Sequence, residues 1–465
     1  MATYNLNNNS NNFSAPNINL PPIVSWNDRI NGNGGNDTLR GNDGNDTIYG
    51  GTGRDQIYGG NNNDRGYGGS GSDLLRGGSG NDSLYGGLDV DTLYGDSGND
   101  YLRVESGEWW DHAHGGTGSD TLSHTASSYS GATINFLDGQ IYNAFGGGTR
   151  SLSSIETYYD GSGNNTIVSD GSGRFYGQSG DDTIHAGSGV NETLDGGSGN
   201  DLLDTTHLNS TYIIDLVTGL TNFGGESFVN FENARTGGGD DEITGTSGDN
   251  FIQTGDGADL VDAAEGNDSV AGEAGNDTLA GGDGDDSIQG GSEDDRLLGQ
   301  NGNDTLRGGK GDDTVRGGKD EDELHGKGGD DRLVAGGQDD MAKGGGGKDT
   351  VKGGKGDDEL YGGGGKDKII GGKGADTIEG GNGKDYMKGN RGPDTFVFDK
   401  KDGRDQIRDF KVNSDHIEIT SGANNFGALD IDDVGAGARV AFADTKIILR
   451  GVDADDLDPG DFIFS

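Results

Sequence analysis

Cysteine is absent from the 465-residue chain, so neither disulfides nor thiolate metal sites are available to it. Proline appears 5 times against 97 glycines, too seldom for a collagen helix. Hydrophobic residues make up 28% of the chain, and mean hydropathy is −0.74. The longest unbroken apolar run is the four residues Val440 to Ala443, far short of the roughly 20 that cross a bilayer. The opening MATYNLNNNSNNFSAPNINL has neither a basic segment nor an apolar one, so it does not read as a Sec signal peptide. Basic residues number 34 against 81 acidic, a formal charge of −47. That balance argues against nucleic acid as a partner, because phosphates need a basic surface. A chain so acidic and so poor in apolar residues is expected to stay disordered until a counter-charge arrives, and divalent cations are the natural source.

What is present is one nonapeptide, repeated. From Gly32 the chain reads GNGGNDTLR, GNDGNDTIY, GGTGRDQIY and so on for eight repeats without a break, ending at Arg103. The pattern is G-G-x-G-x-D-x-U-x, with U large and apolar. It returns at Gly115 to Ser123, irregularly from Asp160 to Asp204, and then for eighteen copies in register from Thr236 to Val397. Asn250 is the one departure from Asp at the sixth position of that second array. Gly66 and Ala342 stand at the U position and leave weak points in a core. Two interruptions, TINFLDGQ followed by SIETYYDGSGNNTIV and YIIDLVTGLT followed by NFENARTGGGDDEIT, read as β-hairpin excursions that rejoin the repeat through an I/F-E-x turn.

The repeat predicts a parallel β-solenoid. The x-U-x portion is long enough for a three-residue strand with U inside, and G-G-x-G-x-D then forms a six-residue turn whose glycines allow positive φ. Two repeats make one coil, and stacked coils give two parallel sheets with strands about 4.8 Å apart. One Leu or Ile per nine residues does not offset the ordering of nine backbone units. The stacking also sets one Asp directly above another. A hard cation suits that position, since Asp oxygens and the carbonyls of a tight glycine turn are calcium ligands, and almost no imidazole is present for softer metals.

Arrays such as GGSGNDSLYGG and GGKGDDTVRGG resemble those of the RTX family, the haemolysin-type calcium-binding proteins. The resemblance implies an all-β fold, a right-handed parallel β-roll with small β insertions and a C-terminal β cap. It also implies calcium ions between successive coils, held by turn carbonyls and the sixth-position Asp. In the first array these are Asp37, Asp46, Asp55, Asp64, Asp73, Asp82, Asp91 and Asp100, with Asp120, Asp182 and Asp201 in the irregular stretch. In the second they are Asp241, Asp259, Asp268, Asp277, Asp286, Asp295, Asp304, Asp313 and Asp322, then Asp331, Asp340, Asp349, Asp358, Asp367, Asp376, Asp385 and Asp394. An ion bridging each pair of stacked turns gives roughly 20 Ca²⁺, whose charge is of the same size as the formal −47.

The expected organisation is a disordered Asn-rich leader over 1–31, a first array over 32–103 and interrupted repeats with two insertions over 104–235. A second array over 236–397 and a C-terminal cap over 398–465 complete it. The segment Asp394 to Ile419 resembles the flank that follows the repeats in type I-secreted RTX proteins, and LDPGDFIFS is similar to their C-terminal export signal. This implies an extracellular location, free or at the cell surface, and the type I secretion machinery as a partner. Phe396, Phe398, Ile407 and Phe410 are the expected plugs of the last coil.

The functional expectation is a calcium-folded, non-enzymatic structural, surface, adhesive or matrix protein. The alternatives are an enzyme or carbohydrate-binding module of a polysaccharide-modifying system, with 104–160 as its active region, and a small pore-forming effector. No HExxH or GxSxG motif is present. Glu108, Asp111, His112, His114 and His124 are read as a polar loop docking Trp109 and Trp110 onto the solenoid end, with a metal or catalytic site as the alternative. Tyr49, Tyr67 and Tyr85 should stack on one face, either through β-propensity alone or as a row for glycans or another copy of the chain. Of the 34 basic residues, 21 lie between 300 and 411, as charge relief among crowded carboxylates or as a contact for anionic surface polysaccharide.

Overall fold

The structure, a computed structural model, describes residues 3–5, 12–14, 27–104, 111–124, 132–143, 150–189, 191–435 and 437–465. The chain folds as two compact units, Met1–Thr205 with Thr218–Asn233, and Thr206–Val217 with Ala234–Ser465. Each is a parallel β-solenoid. Strands pair across 18 residues, as in Thr47↔Arg65 and Tyr49↔Tyr67 of the first unit and Thr305↔Glu323 and Leu306↔Leu324 of the second. Alternate repeats supply opposite sheets, and the eighth-position side chains meet between them. Leu39, Ile48, Ile57, Leu75, Leu297, Leu306, Val315 and Leu324 are fully buried there.

The strands are longer than x-U-x. Thr47–Thr52 and Thr314–Lys319 each run six residues, because the second glycine and the third-position residue also pair with a neighbouring coil. The turn shrinks to the three residues between strands. Position two requires a positive φ, which Gly309 meets at 128° and which Gln300 and Lys327 adopt at 92° and 82°. At Gly66 the core closes without a side chain, since a Cβ there would already lie 3.3 Å from Leu84 Cδ2. Ala342 is likewise fully buried.

The solenoid starts earlier than residue 32. Arg29–Asn31 pairs in parallel with Thr47–Thr52 and with Thr3–Asn5, and Ile30 is fully buried, so the expectation of a disordered leader is corrected at these residues. Asn27-Asp28-Arg29-Ile30-Asn31 is the last five residues of a repeat whose glycines are missing. The expected polar loop at 108–114 is also corrected in part. His112–Thr117 is a coil strand pairing with Thr92–Ser97, and Asp111, Ala113 and His114 occupy positions six, eight and nine. Glu108, Trp109 and Trp110 lie outside the described residues.

The first insertion is a hairpin, with Ala132–Asn135 antiparallel to Gln140–Asn143, and Ala132–Asn135 also pairs in parallel with Thr166–Val168. In the second, Ile213–Asp215 pairs in parallel with Glu242–Thr244 as a coil strand. Leu220 pairs antiparallel with Ser227. Large side chains fill the core around the insertions, where Phe136 packs on Tyr158 and Phe175 at ring-centroid distances of 5.2 and 4.9 Å. At the C-terminus, Arg404–Ile407 and His416–Ile419 extend the two sheets, and Thr445–Arg450 and Phe462–Phe464 pair onto them. An antiparallel meander, Asp430–Val434, Gly437–Phe442 and Thr445–Arg450, closes this end. Phe396, Phe398, Ile407 and Phe410 are buried as expected of plugs.

Candidate metal centre

Asp313 shows how the sixth position is built. Its Oδ1 accepts the backbone N–H of Asp295, one coil earlier, at 2.8 Å. Its own N–H donates to Asp331 Oδ1, one coil later, at 2.9 Å. The carboxylate therefore does in side-chain form what a sheet carbonyl does elsewhere, and the bond repeats along both edges. One column of the second unit runs Asp241, Asp259, Asp277, Asp295, Asp313, Asp331, Asp349, Asp367, Asp385. The other starts at Asn250 and runs through Asp268, Asp286, Asp304, Asp322, Asp340, Asp358, Asp376 and Asp394.

The second oxygen of each carboxylate is the chemically open one. In every expected ligand from Asp46 to Asp394 the Oδ2 is buried and has no hydrogen-bond partner. In most repeats these oxygens face the space left by the first glycine, whose place Thr236, Thr254, Ala263 and Ala335 take in four repeats of the second array. A Cβ on Gly290 would fall 2.2 Å from Asp295 Oδ2 and 2.8 Å from the carbonyl oxygen of Gly308, one coil on. A Cβ on Gly50 would fall 2.5 Å from Asp55 Oδ2 and 2.6 Å from the carbonyl oxygen of Gly68. Among the described residues no three carboxylates or imidazoles converge on one point. The donors on offer are thus one carboxylate oxygen and backbone carbonyls, repeated at each rung, which is an all-oxygen set suited to Ca²⁺.

Electrostatics agree with that need. Burial, opposed by the accepted N–H bond, pushes Asp64, Asp91 and Asp322 up to about 8, and Asp73, Asp295 and Asp358 up to about 7. Neighbouring Asp residues in the column raise them further. At neutral pH the ionised column therefore costs folding free energy unless a cation sits beside it. Asn250 breaks the chemistry but keeps the shape. A Cβ on Gly245 would fall 2.5 Å from Asn250 Oδ1, which instead accepts the N–H of Thr246 at 2.7 Å.

The columns extend past the expected residues. Asp28 donates its N–H to Asp46, Asp91 to Asp111, Asp385 to Asp405 and Asp394 to Asp415. Where the insertions rejoin the coil, Glu takes the place of Asp: Glu156 Oε2 accepts from Asp120 N–H at 2.6 Å and Glu232 Oε2 from Asp201 N–H at 2.8 Å. The I/F-E-x turns carried that signal, with a carboxylate two residues before an inward side chain. A second ladder, unread in the sequence, runs through position five. Asn45 N–H donates to Asn27 Oδ1, Arg54 N–H to Asn36 Oδ1 and Asp312 N–H to Asp294 Oδ1, each 18 residues back. At the cap, Lys411 Nζ lies 3.9 Å from both Asp394 Oδ2 and Asp415 Oδ1, a built-in cation at the end of its column.

The His and Tyr candidates go elsewhere. His112 and His114 bond through Nδ1 to Ser151 Oγ and Ser153 Oγ at 3.0 and 2.8 Å. Tyr49, Tyr67 and Tyr85 do stack, at 4.8 and 4.6 Å with interplanar angles of 6° and 8°. Each ring face is thus taken by the next ring, and Arg29 covers the outer face of Tyr49 at 4.5 Å.

A family model described as the RTX calcium-binding nonapeptide repeat (4 copies), HemolysinCabind, matches residues 31–66, 40–75, 67–102, 168–203, 235–270, 262–297, 271–306, 298–333, 325–360, 334–369 and 361–396, more than half of the chain. The chain belongs to the RTX calcium-binding repeat family. No curated protein matches it. Among solved structures, the extracellular lipase LipA from Serratia marcescens is 20% identical with a TM-score of 0.20, over 45% of this chain and 45% of the lipase. The match therefore spans less than half of that enzyme. The AlgE6R3 subunit from the Azotobacter vinelandii mannuronan C5-epimerase is 27% identical with a TM-score of 0.18, over 28% of this chain and 79% of the subunit. The RTX repeat is a calcium-binding β-roll.

Proposed function

We propose that this RTX chain is a secreted structural protein, of the surface, matrix or adhesive kind, whose coils form when it meets extracellular calcium. The observation that carries the reading is the succession of buried Asp Oδ2 atoms without hydrogen-bond partners, interrupted in the second array only at Asn250, many of them beside a backbone carbonyl of the next coil. Roughly 20 ions complete the columns, and the chain works without a catalytic site of its own. Type I export places the unfolded, metal-free chain where calcium is millimolar, matching the 10⁻⁴–10⁻³ M range typical of extracellular calcium modules.

Far-UV circular dichroism tests the reading. In chelator the spectrum should be that of coil, and CaCl₂ should convert it to strand with a cooperative midpoint. A strand spectrum that persists in chelator would remove calcium from the folding step. Incubation of the folded protein with acidic polysaccharides separates the structural role from an enzymatic one: retention without cleavage or epimerisation is expected.

A further inference from the structure

The fifth-position side chains of alternate repeats form a column along one edge of the second unit. From Asp294 it reads Asp294, Asp312, Asp330, Lys348, Lys366, Lys384, each 18 residues from the next. All six are exposed. The backbone bonds from Asp312 N–H to Asp294, Asp330 N–H to Asp312 and Lys348 N–H to Asp330, at 2.7, 2.7 and 2.8 Å, hold this column in register. Adjacent members stand about 4.8 Å apart, the rung spacing of a parallel sheet.

The charges come in two blocks. Only Asp330 and Lys348 set opposite signs on neighbouring rungs; elsewhere like charges stack, which is unfavourable for the isolated chain. Among the described residues none of the six forms an ion pair. The sequence of signs is its own complement when reversed. A second copy of the chain, turned antiparallel about a two-fold axis between Asp330 and Lys348, sets Asp294 against Lys384, Asp312 against Lys366 and Asp330 against Lys348, twice each. The equal rung spacing of the two copies keeps all six pairs in register, and a two-fold contact is the commonest way for identical chains to associate.

The flanks permit the approach. Position four along this edge is glycine on the five rungs from Gly311 to Gly383, so no side chain stands in front of the column there. At position seven the same rotation sets Arg332 against Thr350 and Lys368 against Thr314, so no like charges meet. The opposite edge has no such symmetry: its fifth positions run Asp285, Asn303, Glu321, Asp339, Asp357 and Ala375, with no lysine.

We infer that this edge is a self-complementary electrostatic interface through which two calcium-folded copies of the chain pair antiparallel. The inference rests on the coil geometry and stands whether or not the chain is exported. Exposed pairs are individually weak and screened by salt, so the dimer should be salt-sensitive.

Sedimentation of the full chain in CaCl₂, with circular dichroism confirming the fold, tests it. At low salt the mass should double, and at about 0.5 M NaCl, where screening is a few ångström, it should return to that of one chain. The variant Lys348→Glu/Lys366→Glu/Lys384→Glu should be monomeric at low salt, as should Asp294→Lys/Asp312→Lys/Asp330→Lys. An equimolar mixture of the two should dimerise. Should the second variant fail to fold, zero-length carbodiimide coupling of the wild-type chain decides: Asp312–Lys366 and Asp294–Lys384 cross-links are expected. Within one chain those pairs are about 14 and 24 Å apart by rung count and cannot couple. A monomeric wild type at low salt, a dimer that survives the Lys→Glu changes through calcium bridges, a mixture that stays monomeric, or the absence of those cross-links would each overturn the inference. Capture of an acidic polysaccharide by a lysine block that remains monomeric would overturn it as well.

Discussion

At the scale of single residues, the glycine that opens most repeats and the sixth-position Asp act as one device. The glycine is there for room rather than for unusual dihedrals, because its missing Cβ is the space in which Asp Oδ2 and the next coil's carbonyl face each other. Gly308→Ala, its methyl falling 2.2 Å from Asp313 Oδ2, should weaken one site without abolishing it, since Ala263 and Ala335 already hold this position beside Asp268 and Asp340, whereas Gly337→Ala, with nothing within 4 Å, should be silent. A calcium titration followed by circular dichroism compares them, and equal midpoints would show that the cradle is not where the ion binds. The same carboxylates set the pH response. Burial in the metal-free coil raises carboxylates such as Asp46 to about 6 and Asp64 and Asp322 to about 8, above the ordinary value of 3.8, so the coil binds more protons than the open chain. Stability of the metal-free coil then rises as pH falls from 8 towards 4, and levels off once the open chain is protonated too. With calcium the direction reverses, since protons and the cation compete for one carboxylate. Lowering the pH from 8 to 5 should increase strand content in chelator and raise the calcium midpoint without it. The candidate ligand Asp residues were legible in the sequence because they recur every nine positions; Asp28 and Asp415 were not, because their repeats have lost the glycines that mark the period, and Asp111 and Asp405 keep only Gly107 and Gly403 of them.

At the scale of the strand and its turn, the reading of a short strand and long turn failed for a physical reason. Glycine has no side chain to favour a pleated surface, so G-G-x reads as turn; its backbone groups nevertheless pair with identical groups 18 residues away, as Gly309 does with Lys327. Only the stacked partner reveals that the strand continues. The insertions teach a related point. Glu156 and Glu232 reach back with one extra methylene to the N–H groups of Asp120 and Asp201, spanning the detour that each excursion introduces. Glu156→Ala should leave the Asp120 N–H unsatisfied and cost about 1–3 kcal/mol, read as a lower urea midpoint in saturating calcium. Glu156→Gln keeps an acceptor oxygen and should recover most of that loss. An unchanged midpoint for Glu156→Ala would mean that the excursion, not the carboxylate, holds the junction.

At the scale of the whole molecule, the C-terminal region has two separable tasks. Thr395–Phe398 and Arg404–Ile407 carry the sheets out of the array and are covered by His416–Ile419 and Thr445–Arg450. Open sheet ends need such cover in any repeat protein. Deleting residues 412–465 should raise the calcium needed for folding and, if the flank also addresses the chain for export, retain the protein inside a cell carrying a type I exporter. Deleting residues 1–26 should leave export unchanged. Normal export of the first deletion would leave the cap with its structural task alone. The 18-residue offset that runs through every hydrogen-bonded column has a further consequence, for heredity. Repeats of nine are gained and lost when DNA slips during copying, but nine residues are half a coil. Losing one repeat moves every downstream side chain to the opposite sheet and every downstream charge to the opposite edge. Losing two restores each residue to its own side. Selection on such a gene should therefore see pairs of repeats as its smallest neutral change in length, and an odd loss as a change of face.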